Sequence, residues 1–286
     1  MLSAAMTEPA LRTVDLLHLG RPGAIGAHLF GDVIVDPGAE KTIGRVIDAL
    51  GDDVPRAVLL THIHFDHAGG TGALVERYPG LEVWVHELGA PHLIDPTRLV
   101  ASARRVYGDY FDELWGQVIP VPAEKIRVLR GGEADGDWTV EYTPGHAKHH
   151  VCFLHGPTRT AFTGDVSGIR IGDGPAFPPT PPPDIDPDLW RSSLDTVAAW
   201  DAARLVYSHF GVSTDAAAHL AGMRDALDAF TDASRDTDAL SFAAWIRSWL
   251  EARAPAEALD SYYWASPFEG MWGGFDHWRR RRAGGH

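Results

Sequence analysis

Ten consecutive residues constrain this 286-residue chain more than any others: Thr61-His62-Ile63-His64-Phe65-Asp66-His67-Ala68-Gly69-Gly70. Three histidines and one aspartate within six positions offer imidazole nitrogens and a carboxylate, the donors that borderline-soft divalent metals prefer. The string follows Ala57-Val58-Leu59-Leu60, an apolar run that reads as a buried strand. The exit of such a strand is where open α/β structures place functional groups. Alternation in extended backbone puts His62 and His64 on one side, and a turn into the following helix swings Asp66 and His67 toward a second point. The spacing therefore points to two metal ions, with Gly69-Gly70 letting the chain turn closely against them.

Charge and composition narrow what such a centre acts on. The chain carries 25 Lys+Arg against 39 Asp+Glu, a formal charge of −14, which repels phosphate backbones and anionic membrane surfaces. Only Arg279 to Arg282 forms a basic run. The single cysteine, Cys152, excludes an internal disulfide and a thiolate zinc site, and reads as a small core residue. No stretch approaches a membrane span, and Met1 to Leu11 holds no basic segment followed by an apolar one. The expectation is a soluble, cytoplasmic protein with a small-molecule substrate, no nucleic-acid or membrane partner, and possible homodimerisation.

Along the chain, Val33-Ile34-Val35 reads as a strand ending at Asp36-Pro37-Gly38, and Thr42 to Leu50 as one helix with a single apolar face. A second helix carries Leu74 and Val75 and stops at Tyr78-Pro79-Gly80, and Val83-Trp84-Val85 is another strand. From Pro91 to Pro122 aromatics accumulate at Tyr107, Tyr110, Phe111 and Trp115, either capping a pocket or packing on the core. Strands return at Ile126 to Leu129, Trp138 to Thr143, Val151 to Leu154, Thr160 to Thr163 and Leu205 to Tyr207. The Pro/Gly stretch from Gly172 to Pro187 lacks most of the amide donors of a sheet or helix and reads as an ordered loop. Helical spacing follows at Leu189 to Trp200, Asp215 to Phe230 and Phe242 to Arg253. The aromatic, glycine-rich end, Tyr262 to Trp278, docks either on the body or on a second subunit.

The string resembles the metallo-β-lactamase superfamily of metal-dependent hydrolases, whose hallmark is His-x-His-x-Asp-His after a strand. The resemblance implies three further ligands, each present in order: His146 in Pro144-Gly145-His146, Asp165 in Thr163-Gly164-Asp165 and His209 in Tyr207-Ser208-His209. It covers about residues 14 to 212. Carried over, His62, His64 and His146 hold one metal, Asp66, His67 and His209 the other, and Asp165 bridges them. The implied cofactors are two zinc ions per chain, with iron or manganese as alternatives. The implied fold is α+β, a four-layer αββα sandwich of two mixed sheets flanked by helices, with 1–286 as a single domain extended by C-terminal helices and the aromatic tail over 213–286.

By this resemblance the activity is hydrolysis of a carboxylic ester, lactone or thioester by a metal-bridging hydroxide, with Asp66 and His209 as catalytic residues and Asp66 exchanging the proton. A hydroxyacylglutathione-hydrolase-like thioesterase shares all seven ligands but carries a basic patch, toward which only Lys148, Arg104, Arg105 and Arg170 contribute here. A lactonase's tyrosine shortly after the bridging aspartate is missing from Val166 to Arg170, leaving Tyr107 or Tyr110 as substitutes. A non-catalytic metal-binding module is the reading from another class. His150, four residues after His146, fits a hydrogen-bonding role behind the ligands, and His149 is its neighbour. His86 and His92 are candidates to line the pocket, while His18, His28, His155, His219, His277 and His286 read as structural or exposed.

Overall fold

The computed structural model describes residues 8–284, so His286 and the first seven residues lie outside the described chain. The first of two sheets comprises β1 (Leu11–Asp15), β2 (Gly26–Phe30), β3 (Val33–Val35), β4 (Ala57–Leu59), β5 (Glu82–His86) and β6 (Ile126–Leu129), side by side in chain order. Its first two pairings are antiparallel and its last three parallel. The second comprises β7 (Glu133–Asp135), β8 (Trp138–Tyr142), β9 (Val151–His155), β10 (Thr160–Phe162), β11 (Arg204–Tyr207) and β12 (Gly211–Ser213), in spatial order 12-11-10-9-8-7. Only β10 and β11 run parallel there. Both sheets are mixed, as the αββα architecture requires.

Strand alternation divides the apolar residues into layers. Val33, Val35, Leu59 and Trp84 of the first sheet meet Phe153, Phe162 and Val206 of the second in a shared inner core. Their neighbours Ile34, Val58, Val83 and Val85 face outward onto helices α1 (Ile43–Leu50) and, beyond the short α2 (Phe65–Ala68), α3 (Thr71–Arg77). A strand covered on both faces is apolar at every position, which is why these segments read as continuous runs. After α4 (Ala90–Ile94), α5 (Thr97–Tyr107) and α6 (Phe111–Leu114), the second sheet is covered by α7 (Pro187–Ala199) and α8 (Ala216–Ala233). There Cys152, Ala161 and Leu205 pack against Trp190, Leu194 and Met223. The Asp186 carboxylate accepts from the amides of Asp188 and Leu189, so α7 begins two residues before its apolar pattern does.

Four strands carry no legible signal: β1, β2, β7 and β12. All five residues of β2 are buried, yet they include Gly26 and His28 and so lack both alternation and an apolar run. The aromatic, glycine-rich tail is docked on the body of the same chain and is helical. Helices α9 (Ala239–Glu251), α10 (Leu259–Ala265) and α11 (Phe268–Ala283) bury Phe242, Ile246, Tyr262 and Phe275 against Phe177 and Phe230. The Pro-rich stretch is ordered, with Ile169 bridged to Phe177 and Thr180 fully buried. No helix among the described residues is long and apolar enough to cross a membrane.

Candidate metal centre

Four strand ends deliver the site. The chain leaves β4 into His62 to His67, β8 into His146, β10 into Asp165 and β11 into His209, all at one edge of the sandwich. A bond from the amide of Val151 to the carbonyl of Thr61 joins the two sheets at that edge. The seven residues converge in three overlapping groups: His62, His64 and His146; His62, His67 and Asp165; and Asp66, His67 and His209. Within each group the potential ligand atoms lie no more than 4.8 Å apart. Asp165 stands between the outer triads. One of its oxygens is 3.3 Å from His146 Nε2, and the other is 3.3 Å from His67 Nε2 and 3.6 Å from His209 Nε2.

What makes this cluster fit cations is the direction of its lone pairs. His146 Nδ1 donates to the Pro179 carbonyl at 3.0 Å, and His209 Nδ1 donates to the Ala24 carbonyl at 2.9 Å. His67 Nδ1 donates to Asp36 at 2.9 Å. The Thr61 hydroxyl gives its own proton to Asp36 at 2.6 Å and so accepts from His62 Nδ1 at 3.1 Å. Each outer nitrogen is thus committed as a donor, which leaves a lone pair on the inner nitrogen of the neutral ring. The inward nitrogens face one another: His62 Nε2 and His146 Nε2 lie 2.9 and 3.0 Å from His64 Nδ1, and His67 Nε2 lies 3.2 Å from His209 Nε2. Asp165 Oδ1 is buried with no hydrogen-bond donor. With the rings neutral, these nitrogens and the carboxylate oxygens form a donor set for positive ions, compatible with a dinuclear centre.

The electrostatics show the same demand. Burial alone pushes every histidine of the cluster down, and it holds His146 at about 3 despite nearby Asp165. His62 falls well below the ordinary value through burial and the charges of His67, His64 and His146. His67 goes the other way: burial is outweighed by Asp165, Asp66 and Asp36, and its pKa rises well above normal, so the carboxylates draw in positive charge, either as a proton on this ring or as a cation on its lone pair. Burial would raise the Asp66 and Asp165 carboxyls, yet His67 and His209, when they carry the positive charge as protons, bring both below the usual range. Three carboxylates around one imidazole, two of them buried, require a compensating charge.

The remaining expectations sort by contact. His150 Nδ1 pairs with the Thr143 hydroxyl at 2.9 Å, and its ring lies 5.1 Å from that of the candidate ligand His62. His149 is buried, and its Nδ1 accepts from the Ile63 amide at 3.4 Å. His86 is stacked on Tyr142 at 4.5 Å and, like His92, joins none of the candidate ligand groups. His28, His155 and His219 are buried structural residues, and His277 is exposed. The Cys152 thiol, buried in β9, is pushed up to about 12. In the 91–122 segment Phe111 and Trp115 are buried against Phe65 of the motif itself, so that segment packs on the centre's own backbone, while Tyr110 stays exposed.

Sequence reasoning missed Asp36 and His18. Asp36 is fully buried, orients His67, and collects the Thr61 amide, the Thr61 hydroxyl and the Ser208 hydroxyl. Its only trace in the sequence is an acidic residue closing an apolar strand, which reads as a turn. His18, grouped with structural or exposed residues, is buried and stacked on Trp115 at 5.3 Å, within electrostatic reach of Asp66 and His209.

Residues 31–209 match the family model of the metallo-beta-lactamase superfamily. Among curated proteins the chain is 33% identical over 153 residues to the hydroxyacylglutathione hydrolase of Salmonella typhi, covering 52% of this chain and 47% of that protein. It is 31% identical over 171 residues to the metallo-beta-lactamase fold-containing protein ST1585 of Sulfurisphaera tokodaii, covering 57% of this chain and 62% of that one. The chain spans about half the length of the curated hydrolases it matches. The solved ST1585 structure from Sulfolobus tokodaii superposes with a TM-score of 0.69 at 22% identity, covering 93% of this chain and 98% of that one. The structure of TTHA1623 in a di-iron-bound form superposes with a TM-score of 0.51 at 25% identity, covering 75% and 93%.

Proposed function

Because the chain belongs to the metallo-beta-lactamase superfamily, we propose that it is a dinuclear metal-dependent hydrolase of a small-molecule carboxylic ester, lactone or thioester. His62, His64 and His146 hold one cation, Asp66, His67 and His209 the other, and Asp165 spans both. The reading takes the C-terminal helices as part of the same domain. The observation that carries it is the set of inward lone pairs on histidines whose outer nitrogens are already committed to Pro179, Ala24, Asp36 and Thr61. Zinc is the proposed metal, with iron and manganese compatible with the same nitrogen and oxygen donors. Such cations supply Lewis acidity and a water acidified to near neutral pH.

The chain's own residues do the rest. Asp66 is the more exposed of the two inner carboxylates, its side chain 18% accessible against 4% for Asp165, so it can reach a substrate. Burial opposed by His67 and His209 leaves it ionised at neutral pH, and its position is what assigns it the transient proton that passes to the leaving group. His209 Nε2, 3.3 Å away, fixes where that carboxylate sits. Asp36 and the Pro179 and Ala24 carbonyls keep the rings from turning.

A glutathione thioester is the second reading, favoured by the similarity to hydroxyacylglutathione hydrolases. Against it, Arg104 is committed to Asp112 and Lys148 lies 3.5 Å from Asp184, which occupies two of the four cations available for glutathione carboxylates. The test is metal analysis of purified protein together with a panel of lactones, thioesters, aryl esters and phosphodiesters, run on wild type, Asp66→Asn and His146→Ala. Two ions per chain and turnover of an ester, lactone or thioester that both variants lose are expected. Turnover confined to glutathione thioesters selects the second reading. Metal without any turnover that the variants lack identifies a binding module instead.

A further inference from the structure

Helix α11 contains Gly273 and Gly274 side by side in its interior, where each costs roughly 1 kcal/mol of helix stability relative to alanine. The surroundings account for Gly274. A Cβ there would fall inside the contact radius of the Thr180 carbonyl oxygen and 2.7 Å from Ile185 Cγ1. The helix thus lies directly on the Pro-rich loop. It also grips that loop: the Thr180 hydroxyl donates to the Met271 carbonyl at 3.0 Å, and Arg281 donates to the carbonyls of Pro183 and Ile185. Thr180 and Ile185 are fully buried. The residue before Thr180 is Pro179, whose carbonyl holds His146 Nδ1, and three residues past Pro183 the Asp186 amide donates to the Gly145 carbonyl beside that histidine.

We propose that α11 is a positioning element of the metal centre: Gly274 and Thr180 set the height of the Pro-rich loop, and the loop's Pro179 carbonyl fixes the tautomer and tilt of His146. The inference rests on the ligand assignment above. A proline-rich loop has few amide donors with which to fix its own shape, so an outside element must do so. Without that support the carbonyl shifts, His146 turns, and the cation held with His62 and His64 is weakened, while Asp66, His67 and His209 keep theirs.

The test is cobalt(II) uptake by the whole chain, read by chelator competition and by the cobalt d–d absorption bands, with circular dichroism reporting the fold. Wild type binding two equivalents supports the ligand assignment; failure to do so overturns both that assignment and this inference. Given two equivalents, Gly274→Ala is expected to weaken one cobalt by about 10- to 100-fold, the usual effect of losing a ligand's outer partner. Its bands should change while the second cobalt keeps its affinity. The control is Gly270→Ala in the same helix, where a Cβ meets nothing within 4 Å, and both cobalts should bind as in wild type. Thr180→Val, which removes the hydroxyl's bond to Met271 at nearly constant volume, should reproduce the selective loss, and Thr180→Ser should restore binding. If Gly274→Ala does not fold, the Thr180 pair decides. Folded variants with unchanged cobalt affinity and bands, or with equal weakening of both cobalts, overturn the inference and leave the ligand assignment standing.

Discussion

At the edge where β4, β8, β10 and β11 end, histidines and aspartates converge with their lone pairs turned inward. The opposite edge of the same sandwich also gathers aspartates, a histidine and tryptophans, around a cavity of about 370 Å³ lined by Asp32, Asp135, Asp137, His155, Trp84 and Trp138. There two of the three acids are paired with arginines, and the third stands beside a histidine that burial keeps neutral. Asp32 pairs with Arg56 at 3.0 Å, Asp135 with Arg127, and Asp137 sits 3.8 Å from His155. The two arginine pairs and Asp137 itself are at least partly exposed, so water compensates these charges as well. At the candidate metal edge no arginine or lysine pairs with Asp36, Asp66 or Asp165 among the described residues, and the polar partners lie behind the rings instead of between them. The same residue types therefore give a solvated ion-pair rim at one end and a cation-demanding cluster at the other. What separates them is how the outer atoms are committed.

Breaking the inner end should cost most. Asp165→Asn removes the carboxylate shared by both triads, and hydrolysis is expected to fall about a thousandfold or more, roughly 4 kcal/mol of transition-state stabilisation. Steady-state kinetics with metal analysis checks this, and retention of two ions with near-normal turnover would refute the spanning role. The next largest effect belongs to His28, buried between the two edges. Burial lowers its pKa to about 4, with the Asp36 charge and the Tyr207 carbonyl only partly opposing. The unfolded chain takes up the proton first, so stability at neutral pH is lost as pH falls from about 6.5 toward 4. The loss approaches about 3.5 kcal/mol, at about 1.4 kcal/mol for each tenfold difference in proton affinity between the folded and unfolded chain. Denaturant titrations at successive pH values should show that slope in wild type and a shallower one in His28→Gln.

Asp36→Asn sharpens the contrast by touching no candidate ligand position. It replaces the carboxylate behind His67, and metal affinity should drop about 10- to 100-fold with the fold retained. An unchanged affinity would show that the outer partners do not distinguish the two ends. The smallest effect is expected at the solvated rim. Asp32→Ala removes an exposed pair with Arg56 and should change stability by about 1 kcal/mol or less, with metal content untouched. Loss of metal in that variant would mean that the two edges are coupled through the sheets.

Much of this contrast is legible in the chain. The string from His62 to His67 is local, and its donors sit close in space because they sit close in sequence. The family and the mixed two-sheet fold follow, by resemblance, from that string together with His146, Asp165 and His209 in order. The continuous apolar runs of β3, β4, β5 and β11 mark strands covered on both faces. β1 and β2 escape the same reading because burial there includes a glycine and a histidine, and α11 escapes because helix propensity alone speaks against adjacent glycines. Asp36 and His18 escape because a single acidic or imidazole side chain is defined by its partners, and those partners come from other strands and from the 91–122 segment.

By itself the sequence determined which atoms are available to hold cations and the order in which strands deliver them, since both depend on residue type and spacing along one chain. Tertiary structure alone decided which ring nitrogens point inward, how Asp165 stands between the triads, and that a C-terminal helix lies under the loop bearing on His146. A lone pair's direction depends on where the other nitrogen finds its acceptor. Those acceptors, Ala24, Pro179 and Asp36, lie 31 or more positions away from the histidines they hold, and only folding brings them within hydrogen-bonding reach.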